Sequence, residues 1–374
     1  MDKRYNFDLL CNEGDEAYLR SQYPDIADRV IWPELRSTFV EHEEKAKRMK
    51  RASRSSSFIG IALIVLSLLV TLVGTSELTK VFVQESRLIS NAVASLAAAL
   101  LVSGLLFGRG VVLSRKRDEW LTERQQAERL RQFHFQFMIS HVDLLCARAV
   151  QTKVSWDKIR EKELERVRRT LSGNTYTKQV KDDQDLSETF IADMNRLRNV
   201  KDFQSVDSNK FQQFKLYYRE FRMDWQEDYV DIQFEERASP ISATGSLFER
   251  EKFANAVEHA ATLGIVLFQF GAVLCQILDD PHSPITQALV LGSSVLAITI
   301  VGLHAFRDGT SVTDDLVRYR HYSSKLKHAR RAFDEADREH DESGVLAAAM
   351  RIEEAAYFEM REFLIAHSKP KLSL

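Results

Sequence analysis

The side chains with the readiest chemistry in this sequence are spread along it rather than gathered. Three cysteines, Cys11, Cys146 and Cys275, are too few and too far apart for a disulfide framework or a zinc site. The ten histidines are scattered, and His321 and His328, seven apart on a charged stretch, fit a solvated helix face. The acid run Asp334-Glu335-Ala336-Asp337-Arg338-Glu339-His340-Asp341-Glu342 has donors for a divalent cation, yet helical charge pairing explains it more simply. Phe211, Phe214, Tyr217, Tyr218, Phe221 and Trp225 could stack bases, but their spacing is that of a helix-packing face. No phosphate loop, glycine-rich dinucleotide turn, nucleophile elbow or His-Glu-x-x-His pair occurs. The sequence points away from an enzyme and requires neither cofactor nor metal. Its formal net charge of −2 gives no reason to expect a nucleic-acid partner.

Polar residues inside apolar stretches are more informative. Thr262, Gln269 and Gln276 recur at intervals of seven, which places them in one stripe down a single helix. Ser67 and Thr71, continued by Thr75, form a shorter stripe, and Asn91 with Ser95 begins another. Amides in hydrocarbon need partners. Interhelical hydrogen bonding within a bundle is the plainer reading; Thr262, Gln269, Gln276, Ser67 and Thr71 are otherwise candidates to line a pore. Gly104 and Gly108 make a GxxxG, preceded by small residues at Ala92, Ala94, Ala97 and Ala98, a face on which helix backbones approach closely. No acidic or basic residue lies deep in any apolar stretch, which argues against a proton-coupled transporter or a voltage sensor.

The elements that carry these residues follow from the charge pattern. Of 374 residues, 44% are hydrophobic and 28% charged, but the two kinds are segregated. The apolar cores are Phe58–Gly74, Leu88–Gly108, Ala260–Leu278 and Ile285–Phe306. About 20 helical residues cross the ~30 Å hydrocarbon layer, so each core is a candidate span. They pair as two hairpins through the linkers Thr75–Arg87 and Asp279–Pro284. Fifteen Lys and Arg flank the outer ends of the hairpins, whereas the tips carry only Lys80 and Arg87. That asymmetry places both termini and the middle segment in the cytoplasm. The opening residues lead into no apolar run, so no cleavable signal peptide is expected. A multi-pass inner-membrane protein is the expected localisation.

The soluble parts read as helices. Asp15–Gln22 stops at Pro24, Pro33–Lys50 leads into the membrane, and Arg115 to about Gln151 continues as one helix. Trp120, Ala127, Leu130, His134, Phe137, His141 and Leu144 form its three-four seam. Further helices are expected at Val154–Leu171, Leu186–Val200 and Ser208–Glu236. Ser246 with Glu249 makes a capping box, and Ser283-Pro284 a second helix start. Tyr319, Tyr322, Leu326, Ala329, Phe333 and Ala336 form another seam. Gly344 breaks it, and a stripe from Val345 to Phe363 returns as an antiparallel hairpin. A shift of 196 residues lays Leu88–Gly108 on Pro284–His304, Arg124 on Arg320 and Leu130 on Leu326, which suggests a repeated plan. The expected fold is all-α: four transmembrane helices as two hairpins, with long cytoplasmic helices in coiled-coil-like bundles.

The stretch Trp120-Leu-Thr-Glu-Arg124-Gln-Gln-Ala127-Glu128-Arg-Leu130-Arg131, just after a membrane hairpin, resembles the signature of the SLATT family. These are two-transmembrane effector domains associated with SMODS and SLOG proteins in prokaryotic conflict systems. The carried residues are Trp120, Arg124, Ala127, Glu128 and Leu130. Tyr218, Arg222 and Gln226, at steps of four, resemble the lead-in helix of a second unit. That unit departs from the pattern after the fourth span, where Leu316 stands for the Trp and Ser324 for the Glu. The resemblance divides the chain into N-terminal helices (1–57), a first unit (58–150), a helical insert (151–207) and a second unit (208–374). It implies an oligomeric membrane effector of antiphage defence that forms a pore or perturbs the lipid bilayer when a nucleotide-signalling or sensor protein triggers it. A membrane-anchored scaffold that recruits partners without conducting ions is the rival.

Overall fold

The structure is a computed structural model that describes residues 6–75, 87–108, 113–148, 152–172, 206–234, 247–278, 283–310 and 312–368. Among these residues every regular element is helical, and the only extended pairing is a single antiparallel bridge between Ala147 and Val206. After a 3₁₀ turn at Phe7–Leu9 come α1 (Asp15–Gln22), α2 (Ala27–Val30), α3 (Pro33–Thr75), α4 (Arg87–Gly108) and α5 (Leu113–Ser140). Next are α6 (Val142–Leu145), α7 (Thr152–Ser172), α8 (Ser208–Tyr218), a π-helical segment (Arg219–Asp224) and α9 (Trp225–Phe234). The last four are α10 (Leu247–Leu278), α11 (Pro284–Thr310), α12 (Val312–Arg338) and α13 (Glu342–Ser368).

Two compact units divide these helices. A charged unit takes Met1–Arg48, Glu119–Glu235 and Asp315–Ser368; an apolar unit takes Met49–Asp118, Glu236–Asp314 and Lys369–Leu374. Each is assembled from three separate stretches.

In the apolar unit, α3 and α4 run antiparallel. Gly104 meets Ile64, Ser67 meets Ala97 and Gly74 meets Val93, so partners advance in opposite chain directions. The same holds for α10 and α11, where Gly264 faces Leu296, Phe268 faces Gly292 and Gly271 faces Leu289. Gly302 of α11 lies against Val65 of α3, which brings the pairs together. Among the described residues, three helical stretches are long and apolar enough to cross a membrane: Pro33–Gly74, Glu251–Leu278 and Pro284–Ala305. Their length and composition are consistent with a membrane protein. The fourth expected span corresponds to α4, whose apolar stretch, Asn91–Gly104, is shorter.

In the charged unit the helices start and stop for local reasons. Pro33 opens α3, where its missing N–H costs nothing. The Asp207 carboxylate accepts from the Asn209 and Lys210 amides and caps α8. In the apolar unit Ser283 does the same for α11, its Oγ accepting from the Thr286 amide at 3.3 Å. Both seams are largely buried, from Trp120 to Phe137 and from Tyr319 to Ala336. The α12–α13 pair is antiparallel, since Arg318 reaches Glu359 and Lys325 lies over Phe358.

Three expectations change. The helix after the second apolar core does not run to Gln151: it ends at Ser140, where His141 leaves helical geometry (φ −124°), and α6 starts afresh at Val142. The break between α12 and α13 falls at His340, which takes the left-handed conformation (φ 57°), and not at Gly344. Gly344 sits in the first turn of α13, where its amide donates to Asp341 Oδ1 and a Cβ would collide with that carboxylate. Ser208–Glu236 is not one regular α-helix but carries the π segment at its middle. The expected helix Leu186–Val200 and the Ser246 cap lie outside the described residues.

Candidate functional site

Two places in the molecule gather the residues singled out by sequence. The first is the buried interior of the charged unit. Arg222 is 1% exposed and donates to Glu353 from Nε (2.7 Å to Oε1) and Nη2 (2.6 Å to Oε2), a two-pronged pair sealed from water. Tyr218 Oη donates within 2.9 Å of the same Glu353 carboxylate, and Gln226 Oε1 accepts from Tyr322 at 2.8 Å. Tyr218, Arg222 and Gln226 stand four apart, a spacing that drifts around an α-helix. Hydrogen bonds that reach five residues back widen the π segment and keep the three on one face.

The α5 residues converge on the same interior. Arg124 pairs with Glu43 at 2.9 Å and with Glu128 at 2.6 Å. Arg131, 3% exposed, donates to Glu128 at 2.8 Å and to Asn6 Oδ1 at 2.5 Å. Its guanidinium lies between the Phe39 and Trp225 rings, and that of Arg222 lies over Phe135. Ala127 and Leu130 are fully buried, and Trp120 packs edge-on against Phe363 and His367. All eight residues that carry the family resemblance therefore lie in one unit and serve its packing.

Electrostatics in this interior is governed by burial. Burial works against the Arg222 charge, and the Glu353 carboxylate outweighs it, so the guanidinium holds its proton more tightly than usual. Asp8, wholly buried, has its carboxyl pushed up to about 6 by burial, which Arg131 and Arg222 only partly offset. His134 is pushed down to about 3 by burial, with Arg160 and Arg222 adding repulsion, and stays neutral.

Sequence reasoning missed Asp8 and Glu353. Glu353 carried a signal: with Ala349, Ile352, Ala356 and Met360 it falls on the apolar stripe of α13, where a carboxylate demands a partner. Asp8 carried none, since its segment has no periodicity.

The second place is the pair of apolar hairpins. Gln269 Nε2 donates to Ser293 Oγ at 2.7 Å across α10 and α11. Ser67, 3% exposed, donates to the Ala97 carbonyl at 2.7 Å across α3 and α4. Thr71 and Thr262 return their hydroxyls to their own helices, at Ser67 O and Glu258 O. Thr262, Gln269 and Gln276 are all exposed along α10. The candidate pore residues thus belong to two different helix pairs, and the bonds Gln269–Ser293 and Ser67–Ala97 each cross one of them. Gly104 marks the close approach of α3 and α4: an added Cβ would lie 2.7 Å from Ile64 and 3.0 Å from the Gly60 carbonyl. Gly108 lies at the end of α4.

No family model matches the chain, and comparison with curated proteins and with solved structures found no similar protein. The SLATT resemblance rests on the quoted residues alone.

Proposed function

We propose that this chain is a four-span inner-membrane effector, with both termini cytoplasmic, whose copies assemble and perturb or perforate the bilayer. The observation that carries the reading is the exposed polar stripe Thr262–Gln269–Gln276 on a helix long and apolar enough to span. A glutamine amide offers two donors and an acceptor, more than the single bond from Gln269 to Ser293 uses. In hydrocarbon such groups favour a second copy or a water path. Antiphage defence as the setting, and a nucleotide-signalling or sensor protein as the trigger, follow from the SLATT resemblance. The chain is read as non-enzymatic.

A second reading, the membrane-anchored scaffold, is favoured by the cross-helix bonds Gln269–Ser293 and Ser67–Ala97, which satisfy polar groups inside one copy. One experiment separates the two. Purified protein in dye-loaded liposomes is compared with the double variant Gln269→Leu, Gln276→Leu, which inserts at least as readily. The effector reading expects leakage from the wild type and its loss in the variant. Wild-type protein that never leaks, even with its trigger supplied, leaves the scaffold standing.

A further inference from the structure

One face of α5 is polar although much of it is buried. Gln125, Arg129, Gln132, Gln136 and Ser140 recur at steps of four, three, four and four, which keeps them in one stripe along the helix. Gln125 is 1% exposed and Gln132 2%. Both amide atoms of Gln125, Oε1 of Gln132, Nε2 of Gln136 and Oγ of Ser140 are buried without a hydrogen-bond partner. Orphaned polar atoms are costly, and a folded chain rarely gathers several on one face without a use for them. The neighbouring Gln126, off the stripe, is satisfied: its Nε2 donates to the Leu171 carbonyl at 3.2 Å.

Arg129 stands in the middle of this stripe and differs from the arginines on either side. Arg124 pairs with Glu43 and Glu128, and Arg131 pairs with Asp8 and Glu128. Arg129 has no carboxylate partner among the described residues. Its guanidinium lies over the Tyr357 ring of α13, 5.2 Å from the centroid. Burial pulls its pKa below the ordinary value, and Tyr357 pulls the other way. A ring against the flat face of a guanidinium leaves the N–H edge available, and that edge is where an oxyanion binds in plane. Arg129 is partly exposed, and none of its nitrogens is among the sealed, unpartnered atoms, so an anion has access to it from solvent.

We propose that this stripe of α5 is a binding site for a singly charged oxyanion, a carboxylate or a phosphodiester, held by the edge of Arg129 and flanked by the carboxamides of Gln125 and Gln132. These two glutamines stand about one turn before and one turn after Arg129. One guanidinium balances one negative charge, and the amides add donors without adding charge. A dianion would bring a second charge that the stripe does not match. Gln136 and Ser140 continue the polar face beyond the anion, toward the remainder of a larger ligand. The site shares no residue with the polar stripe of α10 on which the membrane reading rests.

Thermal melting of the full chain in detergent tests the site, with sodium acetate, sodium dimethyl phosphate and sodium chloride compared at equal ionic strength. At least one of the two oxyanions should raise the melting temperature saturably, by about 3 °C over chloride at ten times its Kd. The probe that does so tells whether the natural group is a carboxylate or a phosphodiester. Arg129→Gln should abolish the increment. Gln132→Leu should weaken the apparent affinity about tenfold, yet melt no lower than the wild type in chloride, because an unpaired amide has no bond to lose. A purely structural stripe predicts the reverse: both variants melt lower in chloride, and neither oxyanion acts on the wild type. No shift of the wild type over chloride overturns the site, as does an increment that survives Arg129→Gln. Should Arg129→Gln not fold, the wild-type titration and Gln132→Leu decide.

Discussion

The two units are packed on opposite principles. In the charged unit the largest buried side chains are Trp156, Arg222, Tyr217, Tyr218 and Phe39, and the charged residues mostly face outward or pair. In the apolar unit the buried positions are mostly small or polar, such as Ala97, Ala261, Ala272, Ser67 and Ser293, with Ile61 the large exception among the described residues, while most large side chains lie outside. Ile277 is 72% exposed and Phe270 62%. Water drives the first arrangement, since large apolar groups gain most by leaving it. Lipid permits the second, because tails solvate Leu and Phe as well as another helix does. There, close contact between backbones and shared hydrogen bonds must hold helices together. A buried ion pair and a glycine crossing are thus the two units' characteristic contacts.

Substitutions should separate the two kinds of packing. The largest effect is expected from Arg222→Ala, which strands the Glu353 carboxylate in a dry interior. Breaking a buried pair from one side typically costs ~3–5 kcal/mol, so thermal melting in detergent should lose its cooperative transition. The double variant Arg222→Met, Glu353→Leu should recover much of the stability. A double variant as damaged as the single one would show that the pair's geometry, and not its stranded charge, is what matters.

In the apolar unit the corresponding break is steric. Gly104→Leu forces a side chain into the Gly60–Ile64 crossing, and overpacking of this kind costs ~1–3 kcal/mol. It should part α3 from α4, read as faster exchange of the α4 amides, and leave the melting of the charged unit in place. Loss of both together would break the distinction between the units.

The pH dependence of the charged unit should carry a His134 contribution. Its folded-state value near 3 lies below the ordinary 6.5, so the unfolded chain binds the proton first. Stability from this group is complete above about 6.5 and declines as pH falls toward 3, by up to ~1.4 kcal/mol per pH unit. His134→Gln should flatten that decline in a denaturant series, and an unchanged slope would remove His134 from the account. Asp8 acts with the opposite sign between about 4 and 6, so Asp8→Asn should steepen the same curve.

The smallest effect is expected from Gln269→Leu alone. A hydrogen bond between membrane helices is worth ~0.6 kcal/mol on average, so removal of the Ser293 contact should shift unfolding only slightly. A loss several times larger would mean that the apolar unit relies on polar contacts as the charged unit does.

Much of the molecule is legible in the sequence, and the reason is periodicity. Asp15–Gln22 is found with the expected bounds, and the seams Trp120–Phe137 and Tyr319–Ala336 are buried, because a three-four pattern fixes which helix face is apolar. Three of the four expected spans meet the length and composition that a bilayer demands. The stop at Ser140, the break at His340 and the π segment had no such mark, for each depends on what the helix packs against. The candidate residues divide in the same way. Gln269 and Ser67 announced that they needed partners, but the sequence could not say that Ser293 and the Ala97 carbonyl supply them. Arg222 stood out by its spacing, while its partner Glu353 is 131 residues away and Asp8 lies in a stretch without pattern. The sequence by itself determined which surfaces shun water, because that depends on side-chain type and local period. Only the tertiary structure decided which buried charges meet, because a carboxylate in a dry interior is settled by whatever cation the chain brings within a few ångströms.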